Sequence, residues 1–558
     1  MRQLPLFASS LVSAALAFSL STGALAADFY VDPASGSAGG DGSTQNPWQS
    51  LDQVIASGAF GTTVKAGDTV WLRSGYHGAL TFNGGDYTPP ILVAAESGQA
   101  PQAASLAFKG AKGLTVRGLS ISPSHSPSPA VGDIVLMDKA SAHVTVENSQ
   151  IFSVGDSSGW GIDEWINAAS SGVFIRGTDC AARNNLVTNV RFGISVDGKG
   201  ALVEGNSVVN FSADGLRGLG DDGVFQYNLI KNVYVSQDDG DSNHDDGFQS
   251  WSVGANGVGT GVVKNVTLRG NMFINREDPE QKLTNTMQGI GCFDGFFEGW
   301  VVENNVVITD HWHGISFYGM KSSRIVNNTV IDVNSTSPGP PWIKVTAHKD
   351  GTPSDDILVR NNLATDFQLE GTALTEDHNT KLTDLAAFFV DPPKFDLHLL
   401  PDAPAVDTGN DDMAPALDIE KIPRPQGKAV DLGAYEWHEP GVEPGTGGGG
   451  TGGTGGAGGD STGGTSPTGS GGSGASDIGG GAGGDPMSGE DGGCGCTTAT
   501  DPPARPLWLL AGLRGGLWRG DDVAEETHNK AADSRGRGQP RHESSRPHKA
   551  SSLFRGWL

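Results

Sequence analysis

Five aspartates fall inside nine residues in the stretch QDDGDSNHDDG: Asp238, Asp239, Asp241, Asp245 and Asp246, with His244 among them. Carboxylate oxygens are hard ligands, and at this density they suit Ca2+, whose charge would relieve their mutual repulsion. The spacing is not that of an EF-hand, because no glutamate closes the loop at its twelfth position. The alternative reading is a solvated acidic turn.

This stretch runs into DGFQSW (246–251), one of a set of related hexapeptides. FGISVD (192–197), DGLRGL (214–219), QGIGCF (288–293) and HGISFY (313–318) share its glycine, and PWIKVT (341–346) keeps the pattern without it. If each copy is one strand of one face, equivalent residues lie about 4.8 Å apart on successive strands. The position before the glycine then stacks Phe192, Asp214, Asp246, Gln288 and His313. Two residues beyond the glycine stand Ser195, Arg217, Gln249, Gly291, Ser316 and Lys344, which strand alternation points outward. Two further on come Asp197, Leu219, Trp251, Phe293, Tyr318 and Thr346.

Aromatic faces and charges on one outer stripe suit a glycan groove. The chemistry expected first is β-elimination or C5-epimerisation of a uronate. It needs a base for the C5 proton and a charge sink for the sugar carboxylate, and Lys344, Arg217 and Ca2+ are the candidates. The bland alternative makes Arg217 and Lys344 structural partners of nearby aspartates. His244, His311 and His313 converge on the stripe as further acid–base groups, and Tyr318 is placed to protonate the leaving oxygen. Gln249, Trp251, Gln288, Trp312 and His348 are expected to contact sugar, whereas Trp342 can simply pack. A second chemistry is inverting hydrolysis by Asp214, Asp245 and Asp246, with working carboxyls about 6.5–9.5 Å apart. A third reading is a non-catalytic surface protein that grips glycan.

The elements that would position these residues show in a second repeat. LVEGNSVV, VTLRGNMFI, VVENNVVI, RIVNNTVI and LVRNNLA place Asn185, Asn206, Asn228, Asn271, Asn305, Asn328 and Asn362 in one column, with Ser149 and Leu119 in the same place earlier. The gaps are 21, 22, 43, 34, 23 and 34 residues. A period near 22 with short β runs predicts an all-β fold, a right-handed parallel β-helix of three-stranded coils with a ladder of asparagine amides. The longer gaps are insertions, which gather on the functional face of a solenoid.

FYVDPASGSAGGDGSTQNPWQSLDQVI (29–55) with AGDTVWLRSGYHG (66–78) resembles the entry of secreted β-helix proteins related to pectate lyases. FDLHLLPDAPAVDTG (395–409) through DLGAYEW (431–437) resembles their closing segment. The resemblance covers roughly 28–437 and implies Ca2+ and a Lys or Arg base on this face; Lys344, Arg217 and the acidic loop match in residue type. The related polygalacturonase-like hydrolases carry a Gly-His-Gly motif, where this chain has HWHG (311–314). A short helix near 48–56 is expected to cover the first coil.

The expected organisation is a signal peptide (1–26, with Ala24-Leu25-Ala26 as its cleavage box), cap and first coils (27–110), helix core (111–370) and closing segment (371–439). A linker follows at 440–493, with 26 glycines in 54 residues. Residues 494–519 (Cys494, Cys496, an apolar run, then Arg514 and Arg519) resemble a degenerate myxobacterial sorting signal, and 520–558 is a polar tail. The expected place is outside the bacterial cell or on its surface. Cys180 and Cys292 read as buried small hydrophobes. A formal charge of −27 disfavours nucleic acid and anionic lipid as partners, leaving an acidic polysaccharide that would need local cations. The body is expected to be monomeric, with no stable membrane insertion.

Overall fold

A computed structural model describes residues 26–234, 245–284, 286–333, 338–442 and 444–445. Asp238, Asp239, Asp241 and His244 lie outside the described residues, as do the expected signal segment up to residue 25 and the linker, sorting signal and tail from 446 onward.

The chain winds into three long parallel sheets of 15, 11 and 12 strands, a right-handed parallel β-helix. The 11-stranded sheet carries the hexapeptides. Its neighbours in order include Ile194–Val196, Leu216–Gly218, Asp246–Trp251, Gln288–Asp294, His313–Tyr318, Trp342–Thr346 and Asp366–Leu369. The expected register holds through Ser195, Arg217, Gln249, Gly291, Ser316 and Lys344, each opposite the next. It slips at the far end of one pair, where an irregularity sets Trp251 opposite Asp294, so Trp251 and Phe293 are not column neighbours.

Alternation sends Phe248, Ile290, Ile315, Phe317, Ile343 and Val345 inward to a continuous core. Fully burying one such side chain stabilises by about 1.5–3 kcal/mol. Cys180 and Cys292 are free thiols within that core.

The asparagine column forms the expected ladder. From Asn185 to Asn328 each side-chain amide donates to the next member's Oδ1 at 2.9–3.0 Å, and Asn362 hands the ladder on to Asn379. The residue before each rung turns the corner with positive φ, as at Asn184, Asn304, Asn327 and Asn361, which explains the Asn-Asn doublets. Two further columns appear. Asn232, Asn210 and Asn189 form a second amide ladder at the corner before the site sheet. On the 15-stranded sheet Arg117, Glu147, Arg183 and Glu204 stack in alternating charge, as do Arg269 with Glu303 and Arg360 with Asp377.

The helix Leu51–Ala56 seats Leu51 and Val54 in the core. The segment from 385 to 437 lies along the outer face of the 12-stranded sheet, where Phe389, Leu397, Leu399, Ile419, Leu432 and Tyr435 pack on Ile274, Val306, Ile308, Ile331 and Leu363. It is fixed by the corner asparagines: Asn304 donates to the Leu417 carbonyl, Asn327 to Asp431 and Asn361 to Asn410. Among the described residues no helix is long and apolar enough to cross a membrane.

Candidate functional site

The glycine in each hexapeptide marks a corner too tight for a side chain. A Cβ on Gly247 would sit 2.6 Å from the Phe273 ring and 2.8 Å from the Gly289 carbonyl, and one on Gly314 would sit 2.3 Å from Val330. Packing, not an unusual φ, therefore demands glycine here.

Just before that corner two carboxyls stack. Asp214 is 1% exposed; one oxygen accepts from Arg217 Nε and the other from the Asp246 amide at 3.1 Å. Asp246 is fully buried, and neither of its carboxyl oxygens has a well-aligned hydrogen-bond partner among the described residues. Burial raises its pKa well above the usual carboxylate range, and the charges of Asp214 and Asp245 push the same way against Arg217 and the Gln249 amide. Burial thus favours the protonated form of Asp246. A Cβ on Gly291 would stand 2.3 Å from its Oδ1, so the missing side chain there is the room that Asp246 occupies. Arg217 lies between two rings, 3.9 Å from the Phe192 centroid and 5.2 Å from that of Trp251. Trp251 is only 9% exposed and serves the guanidinium rather than standing open.

A second cluster lies further along the sheet and is more open. Phe293, His313, Trp342 and Tyr318 form an aromatic box, with Phe293 centred 4.8 Å from His313 and 5.2 Å from Tyr318, and His313 5.3 Å from Trp342. Lys344 Nζ lies 5.1 Å from the Trp342 ring and donates to Gln368 Oε1 at 2.9 Å. Burial pushes the Tyr318 hydroxyl pKa up against the opposing charge of Lys349. His311 stacks on His313 at 5.4 Å, while Trp312 is 45% exposed. Gln288 sits on the strand between the clusters, opposite Asp246.

The structure thus brings Asp214, Arg217, Asp245, Asp246, Gln249 and Trp251 together, and separately His311, His313, Tyr318 and Lys344. His348 joins neither group: it stacks on Phe296 at 4.3 Å and pairs with Asp350 in its own turn. Arg217 and Lys344 are four strand steps apart, about 19 Å, and cannot act on one sugar ring. This corrects their expected pairing as base and charge sink. The sequence reading missed Gln368, whose strand DFQL lacks the marker glycine, and Ser316 as a buried polar group beneath His313.

Among the described residues no three His, Cys, Asp or Glu side chains converge as metal ligands.

Residues 171–364 match the family model described as a right-handed beta helix region. No curated protein matches the sequence. Solved structures similar to the chain include a pectate lyase, Pel9A, with TM-score 0.41 and 14% identity, over 74% of this chain and 96% of that one. A family PL6 polysaccharide lyase from Pseudopedobacter saltans matches with TM-score 0.35 and 14% identity, over 61% and 93%. A rhamnogalacturonan lyase matches with TM-score 0.34 and 12% identity, over 65% and 90%. In fold the chain is a right-handed parallel β-helix, and the stretch that matches the family model holds both side-chain clusters of the candidate site.

Proposed function

We propose that the protein cleaves a uronate-containing polysaccharide by β-elimination at the open cluster, with Lys344 as the base. The observation that carries this is the setting of the Lys344 amine. It stands on the outward column beside an aromatic box, and its hydrogen-bond partner is a neutral amide, Gln368, where Arg217 is fixed to a carboxylate. A lysine not locked to a carboxylate is the one of the two that can give up its proton and act as a base. The Lys344 amine takes the C5 proton, the electron pair forms the C4–C5 double bond, the C4–O bond breaks, and Tyr318 supplies a proton to the leaving oxygen. The signal-like segment 1–26 supports an extracellular site of action. Calcium enters the proposal only through the acidic residues 238–245.

A second reading, hydrolysis, draws on one observation: Asp246, whose pKa burial raises, stacks directly on Asp214, which Arg217 holds, so the two carboxyls differ in environment. The experiment uses a panel of polyuronates, with and without chelator. Ultraviolet absorbance of an unsaturated uronate that is lost in Lys344→Ala supports elimination. New reducing ends without absorbance, lost in Asp246→Asn, would replace it with hydrolysis. Glycan binding with neither product would leave a surface protein that only grips glycan.

A further inference from the structure

The strand Asp28–Val31 ends the 15-stranded sheet and pairs in parallel with Thr69–Leu72. Its outer end is clasped twice. The Asp28 carboxyl accepts the Trp71 indole N–H at 2.9 Å, and one residue earlier the Ala27 backbone N–H donates to Asp68 Oδ1 at 2.8 Å. Asp68 is 6% exposed, and its other carboxyl oxygen accepts the Lys65 backbone N–H at 2.7 Å. Among the described residues the Asp68 carboxyl meets these two backbone donors and no side-chain cation. Burying a carboxylate costs free energy, and two neutral donors offset that less than a positive charge does.

The contact falls at the end of the cleavage box, Ala24-Leu25-Ala26, whose expected cut precedes Ala27. Ala26 and Ala27 are both exposed and stand before the strand, and a cut between them spares the bond in which the Ala27 carbonyl accepts the Thr69 N–H at 2.9 Å. Hydrolysis of the Ala26–Ala27 bond consumes one water: Ala26 leaves as a carboxylate, and the Ala27 nitrogen takes up a proton to become an ammonium. We propose that a leader peptidase cuts at this bond and that Asp68 is the receptor for the new amino terminus, so that processing sets a positive charge on a buried carboxylate. A cut one residue earlier would leave the Ala27 nitrogen a neutral amide, with the charge about 3.8 Å further along the chain. A cut one residue later would remove the donor to Asp68 and the acceptor for Thr69 together. Asp68 thus registers the position of the cut to a single residue. The clasp lies on a different sheet from the Lys344 cluster and is independent of the chemistry proposed there.

The test uses the full chain, from Met1, exported by a bacterial host. Mass spectrometry of the exported protein should find Ala27 as its first residue; an uncleaved chain, or any other end, overturns the proposal. Acetic anhydride then reports the pairing, because only the unprotonated amine reacts and a neighbouring carboxylate holds the proton on. At pH 7 the Ala27 amine should be acetylated about tenfold more slowly in native protein than in Asp68→Asn, the effect of about one pKa unit on the free-amine fraction. Asparagine keeps the shape of the side chain and its Oδ1 acceptor, so equal rates in the two proteins overturn the receptor role. If Asp68→Asn does not fold, a chain that begins at Ala26 takes its place. Its ammonium stands one residue beyond Asp68 and should be acetylated about tenfold faster than that of native protein, and equal rates again overturn the receptor role.

Discussion

Replacing Asn271 by alanine tests what holds the coils in step. Asn271 is fully buried and its side chain makes four hydrogen bonds. Its Oδ1 accepts from the Asn228 backbone N–H at 3.1 Å and the Asn228 amide at 2.9 Å. Its Nδ2 donates to the Phe225 carbonyl at 2.9 Å and to Asn305 Oδ1 at 3.0 Å. Two partners survive the change: the Asn228 amide still reaches the Val203 carbonyl, and Asn305 Oδ1 still receives the backbone N–H of residue 271. The Asn228 N–H is orphaned where no water reaches, and the Phe225 carbonyl loses this donor. At about 1–3 kcal/mol for each unsatisfied buried group, the loss should be about 2–5 kcal/mol. Asn379, the last rung, is the internal control, because it is half-buried and water can replace its partners. The assay is the denaturant midpoint of both variants at equal slope, or the thermal inactivation half-life if unfolding is irreversible. An Asn271→Ala loss no larger than that of Asn379→Ala would refute the reasoning, since burial alone separates the two.

Asp246 has a folded pKa above its unfolded value, so the folded state prefers the proton. Its contribution is fully present below the unfolded pKa of about 3.9 and fades as pH rises toward the folded one. Native protein should therefore lose stability relative to Asp246→Asn from about pH 4 upward, read from paired denaturation midpoints; parallel curves would show that Asp246 is not proton-bearing. Gly247→Ala should destabilise by about 1–3 kcal/mol or more, because its Cβ would meet the Phe273 ring and a backbone carbonyl, and a neutral effect on the thermal midpoint would contradict that. Arg424, fully buried and paired with Glu436 at 2.8 Å, should cost about 3–5 kcal/mol as Arg424→Ala, and less as Arg424→Met with Glu436→Gln, since the double change leaves no lone buried charge.

Much of the fold is legible because a solenoid writes its stacking into the chain. Asn185 to Asn362 could be aligned by eye, and the ladder follows from amide chemistry alone. The outward column from Ser195 to Lys344 was equally readable, since a marker glycine fixes its phase. The second ladder, Asn189, Asn210 and Asn232, was not, because it has few rungs and sits where corner insertions break the period. Nor was the slip that sets Trp251 against Asp294, which depends on a local irregularity invisible to a fixed alternation. The separation of Arg217 from Lys344 was implicit in the alignment, yet their matching charge suggested partnership. Protonation states lay furthest from reach: Asp246 is fully buried, which residue type does not record. The path of the closing segment rests on contacts such as Asn304 to Leu417, 113 residues apart, for which no periodicity exists.

That path has a mechanical consequence. The last described residue, Gly445, donates to the Lys421 carbonyl at 2.7 Å, and Lys421 lies over the Tyr227 ring at 4.4 Å. The chain thus departs from the flank of the solenoid, level with its middle coils, rather than from its final turn. A pull on the chain beyond residue 445 would be borne in shear by the asparagine bonds and apolar contacts of the flanking segment, leaving the last coil unpeeled and the site strands in register under load.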